Sequence, residues 1–68
     1  MYITLNNRSE EIPGQDKISV QELLSHKNFT FKFLAVRVNG SPVKTNDYND
    51  TLIGEGDNVT IHHLISGG

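Results

Sequence analysis

Ile3 and Leu5 alternate with Tyr2 and Thr4 at the start of the chain, the two-residue period of a strand buried on one face. Asn6 to Arg8 supplies a turn, Ser9 to Ile12 a weaker returning strand, and PGQD at 13–16 a second turn signal, so the opening reads as a hairpin. The period then changes. Ser19 stands three residues ahead of Glu22, the spacing of a capping box, in which each side chain accepts a hydrogen bond from the other's backbone amide. Ile18 and Leu23 form the matching hydrophobic staple, and Val20, Leu23, Leu24 and Lys27 continue the face of a helix. One short helix is predicted from about Val20 to Lys27.

Aromatic and β-branched residues dominate NFTFKFLAVRVNG at 28–40, which reads as a central strand ending in a turn at Asn39 and Gly40 that needs positive φ. Its parity is mixed: Leu34, Val36 and Val38 share one face, and Phe29, Phe31, Phe33 and Ala35 share the other. Two arrangements resolve this. A bulge near Phe33 switches the buried face, or the phenylalanines form an exposed apolar patch for a partner. The polar, turn-rich segment 41–57 reads as a long connection anchored by Val43, Tyr48, Leu52 and Ile53. The last strand, 58–65, places Val59, Ile61, His63 and Ile65 on one face and Thr60, His62 and Leu64 on the other. Hairpin, helix, strand, connection and strand predict an α+β fold, a mixed sheet of four or five strands with one main helix packed across one face. If the first and last strands pair in parallel at the centre, the C-terminus leaves the sheet from its middle.

At 68 residues the chain makes one domain, because a chain this short buries only roughly 60% of its unfolded surface. The absence of cysteine excludes a disulfide framework and a thiolate zinc cage, and fits a reducing cytoplasm. No basic leader followed by an apolar run is present, nor any stretch approaching the ~18 apolar residues of a membrane span, so no membrane association is expected. A net charge of −2, with both signs spread along the chain, gives no basic stripe for phosphates and argues against nucleic acid as a partner. His62 and His63 are adjacent and so point to opposite strand faces, which makes a metal site a poor reading. Ser66 has no base and orienter to make a hydrolase triad, and Glu55 and Asp57 are most simply turn residues between Gly54 and Gly56.

The sequence closes on Gly67 and Gly68. At an average glycine usage of about 7%, a terminal pair arises by chance in roughly 0.5% of chains, which makes chance a poor default. The segment VRVNGSPV, the later TLIGEGDNVTI and the closing GG together resemble the ThiS family of sulfur carrier proteins from thiamin biosynthesis, over nearly the whole chain. Molybdopterin carriers and ubiquitin are related but longer.

The resemblance implies a ubiquitin-like β-grasp domain over residues 1–65 and a flexible tail over 66–68. It implies that the Gly68 carboxylate is adenylated with ATP by an E1-like (ThiF-like) enzyme, converted to a thiocarboxylate by way of a sulfur donor enzyme, and used by a thiazole synthase (ThiG-like). The carrier itself would be no enzyme and would bind no cofactor. Physical chemistry agrees with those roles. An ionised α-carboxylate is a poor electrophile, and AMP supplies a leaving group that a sulfur nucleophile can displace. Glycine at 67 and 68 lets an extended tail pass a narrow channel, with Ser66 and Leu64 next in line for recognition and Leu64, Phe31 or Phe33 available as an apolar docking surface. A ubiquitin-like modifier joined through Gly68 to lysines, a carrier of the molybdopterin type and a non-covalent interaction module are the alternatives.

Overall fold

The computed structural model describes residues 1–29 and 34–63. Strand β1 (Tyr2–Leu5) pairs antiparallel with β2 (Arg8–Glu11), and Leu5 faces Arg8 across the two-residue turn Asn6-Asn7. Both asparagines take positive φ, 50° and 67°, the handedness that lets so short a loop follow the twist of its strands. The predicted alternation is present, with Ile3 and Leu5 buried and Tyr2 exposed.

Strand β3 (Lys17–Ser19) runs into the helix α1 (Val20–His26). Both halves of the capping box form: Ser19 Oγ accepts from the Glu22 amide at 3.0 Å, and the Glu22 carboxylate accepts from the Ser19 amide at 2.9 Å. The intervening amides of Val20 and Gln21 donate to the carbonyls of Thr51 and Tyr48 at 2.9 and 3.0 Å, so the donors at the helix start are all occupied. At the other end the helix stops one residue before Lys27, which is its C-cap. Asn28 follows at φ 61°; its amide donates to the Ser25 carbonyl at 3.2 Å, and the Phe29 amide donates to the Leu24 carbonyl at 2.8 Å. This double closure needs a left-handed residue after the cap, which Asn28 provides. Residues 28 and 29 therefore terminate the helix instead of opening the central strand, and Phe29 packs against the core from that position. Phe31 and Phe33 lie outside the described residues, and with them the choice between a bulge and an exposed patch.

The central strand is shorter than expected. Strand β4 (Leu34–Val38) turns through Asn39 and Gly40, φ 52° and 85°, into β5 (Ser41–Val43). Val36 is buried, and Leu34 and Val38 pack on the core's edge, as their shared parity predicted. The supposed connection at 41–57 is ordered: β5 is followed by a 3-10 turn at Thr45–Asp47 and by β6 (Leu52–Gly54), which pairs with β3 in a separate two-stranded sheet. Tyr48 and Ile53 are buried anchors, and Val43 packs against the core. Leu52 is not an anchor. It neighbours Ile53 in an extended strand, must face the other way, and is 56% exposed.

Strand β7 (Asn58–His63) takes the centre of a five-stranded sheet in the order β2-β1-β7-β4-β5, parallel to β1 and antiparallel to β4. The fold is α+β and of the ubiquitin-like β-grasp type. Val20, Leu23 and Leu24 of the helix meet Ile3, Leu5, Val36, Val59 and Ile61 of the sheet in one core.

Candidate functional site: the two ends of the last strand

β7 buries Val59 and Ile61 and leaves Thr60 half-buried and His62 exposed on the sheet face turned from the helix. The start of this strand is heavily tied. The Asn39 amide donates to the Asn58 carbonyl at 2.7 Å, and the Asn58 amide donates to Asn39 Oδ1 at 2.8 Å. Asn39 Nδ2 reaches on to Asp57 Oδ1 at 3.2 Å, while Asp57 Oδ2 accepts from the Gly54 amide at 2.8 Å. The Gly54 and Asn39 donors, with Lys17 adding a favourable charge, hold the Asp57 carboxyl below its ordinary range against a smaller opposing effect of burial. Gly56, at φ 81°, donates to the Tyr2 carbonyl at 2.8 Å, and Glu55 Oε1 accepts from the Tyr2 amide at 3.0 Å. The VNG and EGD segments are thus one hydrogen-bonded knot, and Glu55 and Asp57 do more than bend the chain.

The exit of β7 is tied differently. Along β1, the Thr4 amide donates to the Asp57 carbonyl at 2.9 Å and the Asn6 amide to the Val59 carbonyl at 3.0 Å. β1 then turns away, and the Asn6 side chain supplies the next rung. Its Nδ2 donates to the Ile61 carbonyl at 3.2 Å, and its Oδ1 accepts from the Ile61 amide at 2.8 Å. On the other side, Val36, Ala35 and Leu34 face Ile61, His62 and His63. Leu64, Ser66, Gly67 and Gly68, and the expected boundary between residues 65 and 66, lie outside the described residues, and the sequence reaches them directly from His63. Periodicity missed Asn6, because an asparagine in a hairpin turn is read as turn chemistry alone.

Elsewhere the described residues offer little for catalysis. Among them, no group of three or more His, Cys, Asp or Glu side chains gathers as a metal site. A groove between the PGQD turn and the helix is lined by Ile12, Pro13, Gln15, Gln21, Ser25 and His26, and Glu22 at its edge is committed to the helix cap. None of the described helices is long and apolar enough to cross a membrane.

The model of the ThiS family matches residues 3–68. Among solved structures, the crystal structure of the thiamine biosynthesis protein (ThiS) from Geobacter metallireducens is similar at a TM-score of 0.91 and 26% identity, covering 100% of both chains. The NMR solution structure of a thiamine biosynthesis protein from Geobacter metallireducens is similar at a TM-score of 0.77 and 25% identity, covering 100% of this chain and 88% of that one. A search of curated proteins finds no match.

Proposed function

Because the chain belongs to the ThiS family, we propose that it is a sulfur carrier for thiazole formation in thiamin biosynthesis, acting through the Gly68 carboxylate. It is a co-substrate, not an enzyme. A carboxylate oxygen of Gly68 attacks the α-phosphorus of ATP in the active centre of an E1-like adenylating enzyme, and pyrophosphate leaves. Hydrosulfide (HS⁻) released by a donor enzyme then attacks the acyl carbon, AMP departs with the C–O electron pair, and loss of the S–H proton to solvent leaves a thiocarboxylate. A thiazole synthase is the acceptor of that sulfur, and the cytoplasm is the compartment that supplies ATP and a reducing environment for the product. Residues 1–65 form the docking body and 66–68 the tail, with Gly67, Ser66 and Leu64 recognised alongside Gly68.

The observation that carries this reading is a family match running through Gly68, which follows the central strand of the sheet in the sequence. The carrier needs no catalytic side chain of its own, because the leaving group comes from ATP and the oxyanion stabilisation from the activating enzyme. The test is ATP–pyrophosphate exchange with the cognate adenylating enzyme. Removing Gly68, or adding one residue after it, should leave the melting curve unchanged and abolish exchange. Gly67→Val should reduce exchange less completely, since a β-branched side chain restricts the backbone and obstructs a close channel. Exchange at the native rate by a folded chain lacking Gly68 would overturn the assignment.

A further inference from the structure

We propose that Asn6 is a positioning residue for the reaction at Gly68: its side chain acts as a strand residue that the hairpin no longer provides, and so fixes where the β1 side of β7 is last held. This rests on the carrier reading above. A primary amide holds an N–H donor and a carbonyl acceptor on one carbon in one plane, so it can offer a neighbouring strand the same donor-and-acceptor pair that the backbone offers. At φ 50° the Asn6 backbone has left the strand path, yet its amide group meets both the N–H and the C=O of Ile61. One residue thus reverses the chain and extends the parallel ladder by a rung.

The consequence is a matter of reach and direction. Ile61 precedes Gly68 by seven residues, 61 to 68, and seven residues extend at most about 25 Å. Without the Asn6 side chain, the β1-side ladder would end at Val59, the acceptor of the Asn6 backbone amide, and among the described residues the segment of β7 held from the β4 side alone would begin two residues earlier. A less defined exit must be ordered when the carboxylate is delivered to an active centre, and that cost appears in binding, not in the chemistry of the carboxylate itself.

Asn6→Gly tests this role, because glycine accepts the positive φ and removes the side chain that carries the amide. Asn6→Asp keeps an acceptor for the Ile61 amide and loses the donor. Asn7→Gly, at the same turn and on an exposed side chain, is the control. Amide hydrogen exchange and the kinetics of adenylation by the cognate enzyme are measured on each full-length variant. In Asn6→Gly the Ile61 amide should exchange about tenfold faster, with amides of Leu23 and Val36 unchanged, and KM for the carrier should rise about tenfold with kcat within about twofold. Asn6→Asp should raise KM by a smaller factor, and Asn7→Gly should match the parent chain.

An Ile61 amide that exchanges at the parent rate in Asn6→Gly would show that the rung does not hold the strand. Faster exchange with an unchanged KM would remove the positioning role alone. An Asn6→Gly chain unfolded at the assay temperature would make Asn6 a folding residue, which also contradicts the proposal. A parent chain that the enzyme never adenylates would sink the carrier reading together with this one, a result separable from the others because it needs no variant.

Discussion

The two ends of β7 are held by opposite means. At its start, an ionised carboxylate, two glycine-bearing turns and the Asn39 side chain tie the residues leading into Asn58 to Asn39 and to β1. At its exit, among the described residues, one neutral amide from Asn6 closes the ladder on one side and β4 continues on the other. Charge-assisted bonds are the stronger kind, so the strand is secured farthest from the proposed chemistry. The segments most recognisable in the sequence, VNG and EGD, therefore secure the scaffold, and the end proposed to react carries almost no signature of its own beyond its glycines.

The largest expected effect treats both ends alike. Leu23 is fully buried beneath the sheet, and Leu23→Ala should lower stability by about 2–5 kcal/mol. Thermal melts should show one cooperative transition at lower temperature, and adenylation should persist in the folded fraction. Loss of adenylation at temperatures where the variant is fully folded would mean that the core and the exit are coupled.

Asp57→Asn should act on the start alone, with a smaller effect. The folded carboxyl of Asp57 is held below its ordinary value, so it contributes stability that is fully present above the unfolded value and is lost as pH falls through the folded one. Melts of the parent chain should drop as pH falls below about 4, and Asp57→Asn should flatten that part of the profile while lowering Tm by a few degrees at neutral pH. Its KM for adenylation at neutral pH should equal the parent's, the reverse of the pattern expected for Asn6→Gly. A parallel pH profile in the variant would locate the acid sensitivity elsewhere.

The smallest effect belongs to a contact at neither end. Lys27 Nζ meets Glu10 Oε2 at 2.9 Å, with both side chains partly exposed. Solvent screening limits such a pair to about 0–1 kcal/mol, so Lys27→Ala should move the melting temperature only slightly and leave adenylation untouched. A clear change in KM would place the helix C-terminus in the docking surface.

Those features legible in the sequence are local ones. The Ser19–Glu22 box, the Asn39-Gly40 turn and the alternation of Ile3, Leu5, Val59 and Ile61 each depend on residues within a few positions of one another, and each is where its pattern put it. What the sequence concealed depends on distant pairing. β3 and β6 are three residues each, too short for alternation to declare them, and exist because Ile18 faces Ile53 across the antiparallel pair. Asn28 was concealed by the aromatic run after it: NFTF scores as strand, while the left-handed closure at Asn28 belongs to the helix before it. Asn6 lies 55 positions from the Ile61 backbone it completes. Of the proposed site, the family pattern pointed to Gly68, and no pattern pointed to Asn6.

The carrier assignment is tested most directly by intact and fragment mass analysis of the full-length chain after incubation with cell extract and ATP. The predicted result is a mass gain equal to the difference between sulfur and oxygen, carried by the fragment that contains Gly68. An unshifted mass, or larger adducts joined through Gly68 to lysines of other proteins, would contradict it.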